Sequence, residues 1–231
     1  MLTPEEERAF FQSASNVEQA AGRRLRTLQS RQSVIAFVSN LQRGVSEVIH
    51  SAIGQGVGVA CKAGCKHCCH ARVEAIAPEI FGIARELAAR PAEELNRYIQ
   101  RLRIHAVAHA ATHDAATAWN QQAECPFLTN DLCAIYDVRP SGCRKAHSLD
   151  VEKCKENAPE IPQDLGIVVN VEALAKGTSD AYRTLGFDAS GHELGRAVLL
   201  ALTDSSAESR WFSGERVFIT DAPGARNQNR T

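Results

Sequence analysis

The sequence predicts a mostly α-helical domain with an irregular, cysteine-rich centre. Capping signals and apolar residues at helical spacing recur on both sides of a middle stretch, and runs with the alternation typical of strands are few and short. The eight cysteines of the 231-residue chain all lie in that middle stretch, between Cys61 and Cys154. A chain of this length favours one domain with helical additions over several independent domains.

The first predicted segment, 1–58, consists of helices. Thr3-Pro4-Glu5-Glu6 is a capping box with proline at the first helical position, and it predicts a helix to about Gln19. A second amphipathic stretch runs from about Ala21 to Ile53, and the glycines between Gly54 and Gly58 end it.

The second segment, 59–160, holds the cysteines and two further helices. Pro78 begins a helix that extends through Leu87, and Pro91 begins another that runs towards Ala118. A short strand is predicted from Arg72 to Ala77, after the first cysteine group and before these two helices.

The third segment, 161–220, is predicted to pack further helices on the centre, and the last, 221–231, is predicted as a loose tail. The helices are Asn170–Leu185, Leu194–Leu202 capped by Ser190-x-x-Glu193, and a short piece with Trp211 and Phe212 capped by Ser205-x-x-Glu208. We expect Trp211 and Phe212 to close the core or to form a small partner patch. Weak strand signals lie at Gly166–Asn170 and Val217–Thr220.

Charge and hydropathy exclude some function classes. Lys+Arg 26 against Asp+Glu 27 makes nucleic acid an unexpected partner. The longest apolar stretch, Ala197–Leu202, is far too short to span a membrane. The acidic N-terminus has no secretory h-region, so we expect a cytoplasmic protein. In that reducing compartment, clustered thiols favour metal ligands or a redox site over disulfides.

The cysteines form two groups with the spacing of metal ligands. The first is Cys61-x3-Cys65-x2-Cys68-Cys69, in which a short loop or one face of a helix would let the sulfurs converge. The second group is Cys125, Cys133, Cys143 and Cys154. Neighbouring Cys68 and Cys69 cannot point the same way in regular structure, which suggests two metals or a polynuclear cluster. Two four-thiolate sites, one cubane cluster with spare thiols, and a compact multinuclear centre all suit this count.

The metal is predicted to be zinc or iron. Four thiolates on Zn²⁺ leave a net charge of about −2, which calls for nearby cations, and Arg139 and Arg144 flank Cys143. Iron–sulfur clusters also take four cysteines, so spacing separates the two metals poorly. Precedent slightly favours zinc, although the adjacent cysteines and uneven gaps are unlike two ordinary zinc knuckles.

Several of these motifs together resemble the YkgJ-type cysteine-cluster family. They are Cys65-x2-Cys68-Cys69, the segment Val73–Glu79, Cys125-Pro-Phe-Leu, Cys133-x-Ile-Tyr and Arg139-Pro-x-x-Cys143-Arg. The resemblance spans about Cys61 to Cys154 and implies a zinc- or iron-chelating domain with eight cysteines. The family pattern has two residues between its first two cysteines, whereas three lie between Cys61 and Cys65. The resemblance also extends to the flagellin lysine N-methylase, an enzyme thought to use an iron–sulfur centre.

Other side chains are weaker ligand candidates. His105, His109 and His113 continue the inward stripe of one predicted helix, where they pack among alanines or lie beside the thiols. His67 and His70 lie within the first cysteine group, and His147 and Asp150 lie between the last two cysteines. His50 and His192 are expected to be ordinary helix residues. Glu74 and Glu79 suit general bases near the site, although a surface helix cap explains Glu79 equally well.

We therefore expect a metal-binding protein that chelates zinc or iron, including the iron–sulfur alternative, through all eight cysteines. The alternative is a metal- or iron–sulfur-dependent enzyme, such as a protein lysine methylase or an oxidoreductase. No methyl-donor motif or catalytic triad is evident, so no catalytic residue is assigned. A third alternative is an interaction module whose metal only shapes its surface.

Overall fold

Helices dominate the structure, a computed structural model that describes residues 2–110 and 124–218. The α-helices are α1 Pro4–Leu25, α2 Arg31–Ala36, α3 Ser39–Gly54, α4 Ala77–Ala88, α5 Ala92–Ala110, α6 Ser141–Lys145, α7 Val151–Lys155, α8 Leu165–Thr184, α9 Leu194–Thr203 and α10 Ala207–Phe212. The strands are β1 Glu74–Ala75, β2 Leu128–Thr129, β3 Leu132–Cys133 and β4 His192–Glu193, and 3₁₀ helices span His67–His70 and Tyr136–Val138. The predicted fold class is confirmed.

The N-terminal helices are divided differently from the prediction. The capping box of Thr3 and Glu6 is present, with the Thr3 N–H donating to Glu6 Oε2 at 2.7 Å, but α1 continues beyond Gln19 to Leu25. The amphipathic stretch predicted from Ala21 to Ile53 is not one helix. The chain turns after α1 and then forms two separate helices, α2 and α3. Ser30 caps the first restart, α2, by accepting a hydrogen bond from the Ser33 N–H at 3.1 Å.

Helix α8 packs along α1 and α3 and joins the N-terminal helices to the C-terminal half. It begins at Leu165 because Asp164 Oδ1 accepts the Ile167 N–H at 2.8 Å. The predicted strand at 166–170 is therefore wrong, and the predicted helix 170–185 is confirmed as part of a longer one. Gly177 permits the approach to α1, since a Cβ atom there would lie 2.3 Å from the carbonyl oxygen of Ala14.

Replacing Gly177 by alanine is expected to lower the free energy of unfolding by about 3 kcal/mol, because the helices must separate to admit the methyl group. Gly82→Ala in α4 is the matched control, since a Cβ atom there meets nothing within 4 Å. It should raise stability by about 0.5–1 kcal/mol through helix propensity. Urea unfolding followed by circular dichroism measures both. Equal effects of the two substitutions would contradict close packing at Gly177.

The main core lies between α4 and the C-terminal helices. Trp211 is fully buried against Phe81, with ring centroids 5.7 Å apart, and its Nε1–H donates to the Asp188 carbonyl at 2.7 Å. Phe212 is partly buried and stacks on Phe187. The expectation that Trp211 and Phe212 close the core is therefore confirmed.

The caps and strands of the C-terminal half need correction. Glu193, not Ser190, caps α9, and its carboxylate accepts the N–H groups of Gly195 and Arg196 at 2.9 and 2.8 Å. Ser206 rather than Ser205 precedes α10. Of the predicted strand 72–77, only β1 forms, and it pairs antiparallel with β4. Val217 and Phe218 are not in a strand. Residues 219–220, the tail 221–231 and the predicted continuation of α5 towards Ala118 lie outside the described residues.

Candidate metal centre

The first cysteine group occupies a loop and a 3₁₀ helix. The Cys65 N–H donates to the Lys62 carbonyl at 3.0 Å, and Gly64 has a φ of 82°, a left-handed conformation that glycine adopts without strain. This turn absorbs the additional residue between Cys61 and Cys65. Cys68 and Cys69 follow in the His67–His70 helix. The alternative in which Cys61, Cys65 and Cys68 share a helical face is wrong.

The second group begins at a hairpin whose backbone hydrogen bonds lower the pKa of two cysteine thiols. Strands β2 and β3 pair Leu128 with Cys133, and the turn places Asn130 and Asp131 at positive φ. Burial raises the pKa of Cys125 to about 11, although backbone hydrogen bonds from Phe127 and Leu128 oppose that rise. Burial likewise raises the pKa of Cys133, opposed by a backbone hydrogen bond from Ile135. Such donors stabilise the thiolate form that a metal requires.

Four contacts bring the two groups together. The Cys125 N–H donates to the Cys69 carbonyl at 2.8 Å, and Lys66 Nζ pairs with Asp131 Oδ1 at the hairpin turn, 2.5 Å away. Helix α7, which carries Cys154, packs against the 3₁₀ helix of Cys68 and Cys69. The Ala60 N–H also donates to the Ser148 carbonyl at 2.8 Å, which fixes the Cys61 loop beside the last cysteines. Residues far apart in sequence thus form one thiol-rich region.

The thiols are reduced and close enough to influence one another's ionisation. All eight are free, with Cys61 and Cys68 exposed and the others partly buried. Burial raises the pKa of Cys143, and the thiols of Cys125, Cys68 and Cys133 raise it further. Repulsion between thiolates explains the smaller, second part of this rise, and a bound cation would oppose it.

The donor set suits zinc or iron, both of which bind thiolate sulfur. Among residues 2–110 and 124–218, no three His, Cys, Asp or Glu side chains stand in an arrangement that could hold an ion. Coordination of an ion therefore requires the thiols to move from the positions that they occupy here.

Comparison with known protein families supports this assignment. Residues 60–161 match the family model CxxCxxCC, described as a "putative zinc- or iron-chelating domain". Residues 60–161 are therefore similar to this family. The match includes all eight cysteines and covers under half of the chain. The family resemblance predicted from the motifs is confirmed for this segment. Searches of the curated proteins and of the solved structures found no match.

Arginines surround the hairpin side of the thiol-rich region. The Arg144 guanidinium donates to the Arg139 carbonyl at 3.0 Å and to Ser46 Oγ at 3.3 Å. It also donates to the Asp137 carbonyl. Arg139 lies over the Tyr136 ring, 3.6 Å from its centroid. Both positive charges lower the pKa of Cys133 against the larger effect of burial. The predicted pair of arginines thus lies where it stabilises thiolates.

Sequence reasoning missed a third cation, Arg101 of α5. Its Nη1 donates to Thr129 Oγ1 at 2.9 Å, and its Nη2 donates to the Leu128 carbonyl. The charge of Arg101 lowers the pKa of Cys125, opposing the larger effect of burial. No motif links residue 101 to the hairpin, because the helix and the hairpin meet only through tertiary packing.

The histidine candidates divide into structural and undetermined ones. His147 is buried and uses both ring nitrogens, since Nδ1 donates to the Lys145 carbonyl at 2.8 Å and Nε2 accepts the Asp164 N–H at 3.0 Å. It is therefore not placed to bind metal. His105 faces inward as predicted, at 8% exposure. The side chain of His109 and the whole of His113 lie outside the described residues.

The remaining ligand candidates are exposed or partly buried, except for His192. His67 is partly buried, and His70 and His50 are exposed. Asp150 caps α7 by accepting the Glu152 N–H at 2.8 Å. The expectation that His192 is an ordinary helix residue is wrong, because it lies in β4, buried, with Nε2 3.1 Å from Asp188 Oδ2.

Glu79 caps α4 as the second alternative predicted, but it does so from a buried position and not at the surface. It is 2% exposed, and its Oε1 accepts the N–H of Ser141, the first residue of the Cys143 helix, at 2.6 Å. Its Oε2 accepts the Ile76 N–H at 3.4 Å. Burial raises the pKa of the carboxyl group. The other predicted base, Glu74, is 56% exposed and pairs with Arg72.

Proposed function

We propose that the CxxCxxCC domain binds zinc or iron through thiolates. Its ligands are the eight predicted cysteines, Cys61, Cys65, Cys68, Cys69, Cys125, Cys133, Cys143 and Cys154. Metal binding of this kind would join the two cysteine groups of the predicted unit 59–160. Because the thiols must stay reduced, the proposal includes a reducing compartment such as the cytoplasm. No helix among the described residues has the length and hydropathy to cross a membrane.

The hairpin supports the proposal most directly. Backbone hydrogen bonds from Phe127, Leu128 and Ile135 lower the pKa of Cys125 and Cys133 against the larger effect of burial. This arrangement offsets the charge of an anionic sulfur and contributes little to a neutral thiol. Together with the nearby arginines, it favours metal-bound thiolates over buried thiols that serve as small hydrophobic residues.

Metal analysis of anaerobically purified protein tests the proposal. We expect bound zinc or iron, and substitution of Cys133 and Cys143 by serine should remove most of it. Leu132→Ala is the matched control, because Leu132 precedes Cys133 in β3 and is 59% exposed. Brown protein with acid-labile sulfide identifies an iron–sulfur cluster, and colourless zinc-loaded protein identifies zinc. A wild-type protein that neither contains nor takes up either metal would refute the proposal.

A cavity beside the centre favours chelation over catalysis. A metal-dependent enzyme such as a methylase or oxidoreductase needs an ion that opens onto a substrate pocket. A cavity of about 150 Å³ lies beside α6 and includes Ser141, Gly142 and Lys145 among its lining residues. Within the described part of the chain, no cysteine lines this cavity.

A further inference from the structure

The hairpin of β2 and β3 is too small to hold its own shape. Each strand has two residues, and the strands pair Leu128 with Cys133 and Thr129 with Leu132. An isolated two-stranded hairpin is marginally stable at best in water, and one this short has few ladder hydrogen bonds. The backbone that carries Cys133 therefore depends on contacts with the rest of the protein.

Arg90 supplies one of these contacts. It lies between α4 and α5, and its Nη2 donates to the Ala134 carbonyl at 2.6 Å. Ala134 directly follows Cys133, and its own N–H donates to the Phe127 carbonyl at 2.8 Å. The residue next to Cys133 is thus bonded through its N–H to the chain that leads into β2 and through its carbonyl to the helical core.

The Arg90 side chain is itself held in place. It is 17% exposed, and its Nη1 donates to Glu94 Oε1 at 2.9 Å. The guanidinium carbon lies 5.3 Å from the centroid of the buried Tyr98 ring, and Nη2 lies 3.6 Å from Glu86 Oε1. A planar guanidinium that is fixed by carboxylates and an aromatic ring loses little further freedom when it donates to a carbonyl.

Arg101 holds the other strand. Its Nη2 donates to the Leu128 carbonyl, and its Nη1 donates to Thr129 Oγ1 at 2.9 Å. Leu128 lies opposite Cys133 in the hairpin. Arg90 and Arg101 therefore bond two carbonyls that flank Cys133, one on the next residue of its own strand and one on the opposite strand. Hydrogen bonds from charged donors are stronger than those between neutral groups.

We propose, resting on the proposed function, that Arg90 and Arg101 are positioning residues of the metal centre. They hold the backbone around Cys133 in one conformation whether or not an ion is bound. Metal binding then moves thiol side chains while this part of the backbone stays in place, so less conformational freedom is lost when the ion arrives. Supporting contacts outside the ligand set typically raise metal affinity by about 10–100-fold.

Amide hydrogen exchange of the metal-free, reduced protein, followed by NMR, tests the state of the hairpin. In the wild type, the Ala134 N–H should be protected, because its bond to the Phe127 carbonyl persists without metal. It should exchange at least tenfold faster in Arg90→Gln and in Arg101→Gln. Arg97→Gln is the matched control and should exchange as the wild type does. Arg97 is exposed on α5, and no hydrogen bond or ion pair joins it to another described residue.

Competition with a colorimetric chelator measures the consequence for metal binding. The probe is Zn²⁺, or Fe²⁺ if the purified protein holds iron. Arg90→Gln and Arg101→Gln should each bind the probe at least tenfold more weakly than the wild type, and Arg97→Gln should bind it equally well. Gly177→Ala lowers stability at the contact of α8 with α1 and should leave the metal affinity unchanged. This comparison separates positioning from a general loss of stability.

Arg90→Lys separates hydrogen bonding from charge. An ammonium group keeps the positive charge but cannot replace the fork that joins Glu94 to the Ala134 carbonyl. Its exchange rate and metal affinity should therefore resemble those of Arg90→Gln. Recovery of the affinity in Arg90→Lys, with Ala134 still in fast exchange, would assign the effect to charge and refute the positioning role.

The outcomes separate this inference from the proposed function. Wild-type protein that binds neither zinc nor iron refutes both. Metal-binding protein refutes the positioning role alone if Ala134 is unprotected in the metal-free wild type, or if both glutamine variants keep the wild-type affinity. If one glutamine variant fails to fold, exchange in the metal-free wild type and the other variant still decide.

Discussion

Lowering the pH from about 8 to about 6 is expected to weaken metal binding by at least four orders of magnitude. Burial raises the pKa of Cys125 to about 11 and raises that of Cys143 as well, so both thiols are protonated in the metal-free protein throughout this range. An ion that binds both sulfurs releases two protons. Each released proton changes the affinity about tenfold per pH unit, and the sign is fixed because added protons compete with the metal.

Competition with a chelator of known protonation constants measures this dependence at each pH. Calorimetry in buffers of different ionisation enthalpy counts the protons released. Cys125→Ser supplies the control, because it removes one titrating thiol and should reduce the proton count by one even though its affinity is lower. Affinity that is constant between pH 8 and 6 would contradict coordination by these two thiols.

Glu79→Ala is expected to lower the free energy of unfolding by about 3–5 kcal/mol. The substitution leaves the Ser141 N–H without its 2.6 Å acceptor in a buried region and creates a cavity beneath α6. Since α6 carries Cys143, metal affinity should fall with stability. Urea unfolding and metal competition measure the two effects on the same preparation.

Two further glutamate substitutions isolate the cause. Glu79→Gln keeps one oxygen acceptor and the volume of the side chain, so its loss should be about 1–2 kcal/mol. Glu74→Ala removes a side chain that is 56% exposed and should change stability by about 0.5 kcal/mol. If Glu79→Ala is no more damaging than Glu74→Ala, Glu79 does not position the Cys143 helix.

Local signals in the sequence predicted the helices whose ends carry their own caps. The box of Thr3 and Glu6 marks the start of α1 correctly because both partners lie within one turn. The break between α1 and α3 was missed because the apolar spacing continues through it. The cap of Ser30 is a local signal that the apolar spacing outweighed. The packing of Val34 and Ile35 into the core, which also fixes the break, depends on tertiary contacts.

The cysteines were found from spacing, but their surroundings were not. Motifs pick out residue types at short range, and the Cys125–Cys69 backbone bond joins positions that are far apart in sequence. Arg101 and Glu79 reach the thiol region through folding alone. His147 shows the opposite error, in which closeness in sequence suggests a ligand that the fold does not provide. Both of its ring nitrogens form hydrogen bonds with backbone groups.

The packing of α1 along α8 has a consequence for biosynthesis. Helix α1 emerges from the ribosome long before its partner, Leu165–Thr184, has been translated. All eight cysteines, the last at position 154, are translated in that interval. Vectorial synthesis therefore exposes the thiols to cellular metal and oxidants before the helical scaffold closes, and long-range pairing of this kind slows folding. Metal loading on the nascent chain would protect the thiols during this period.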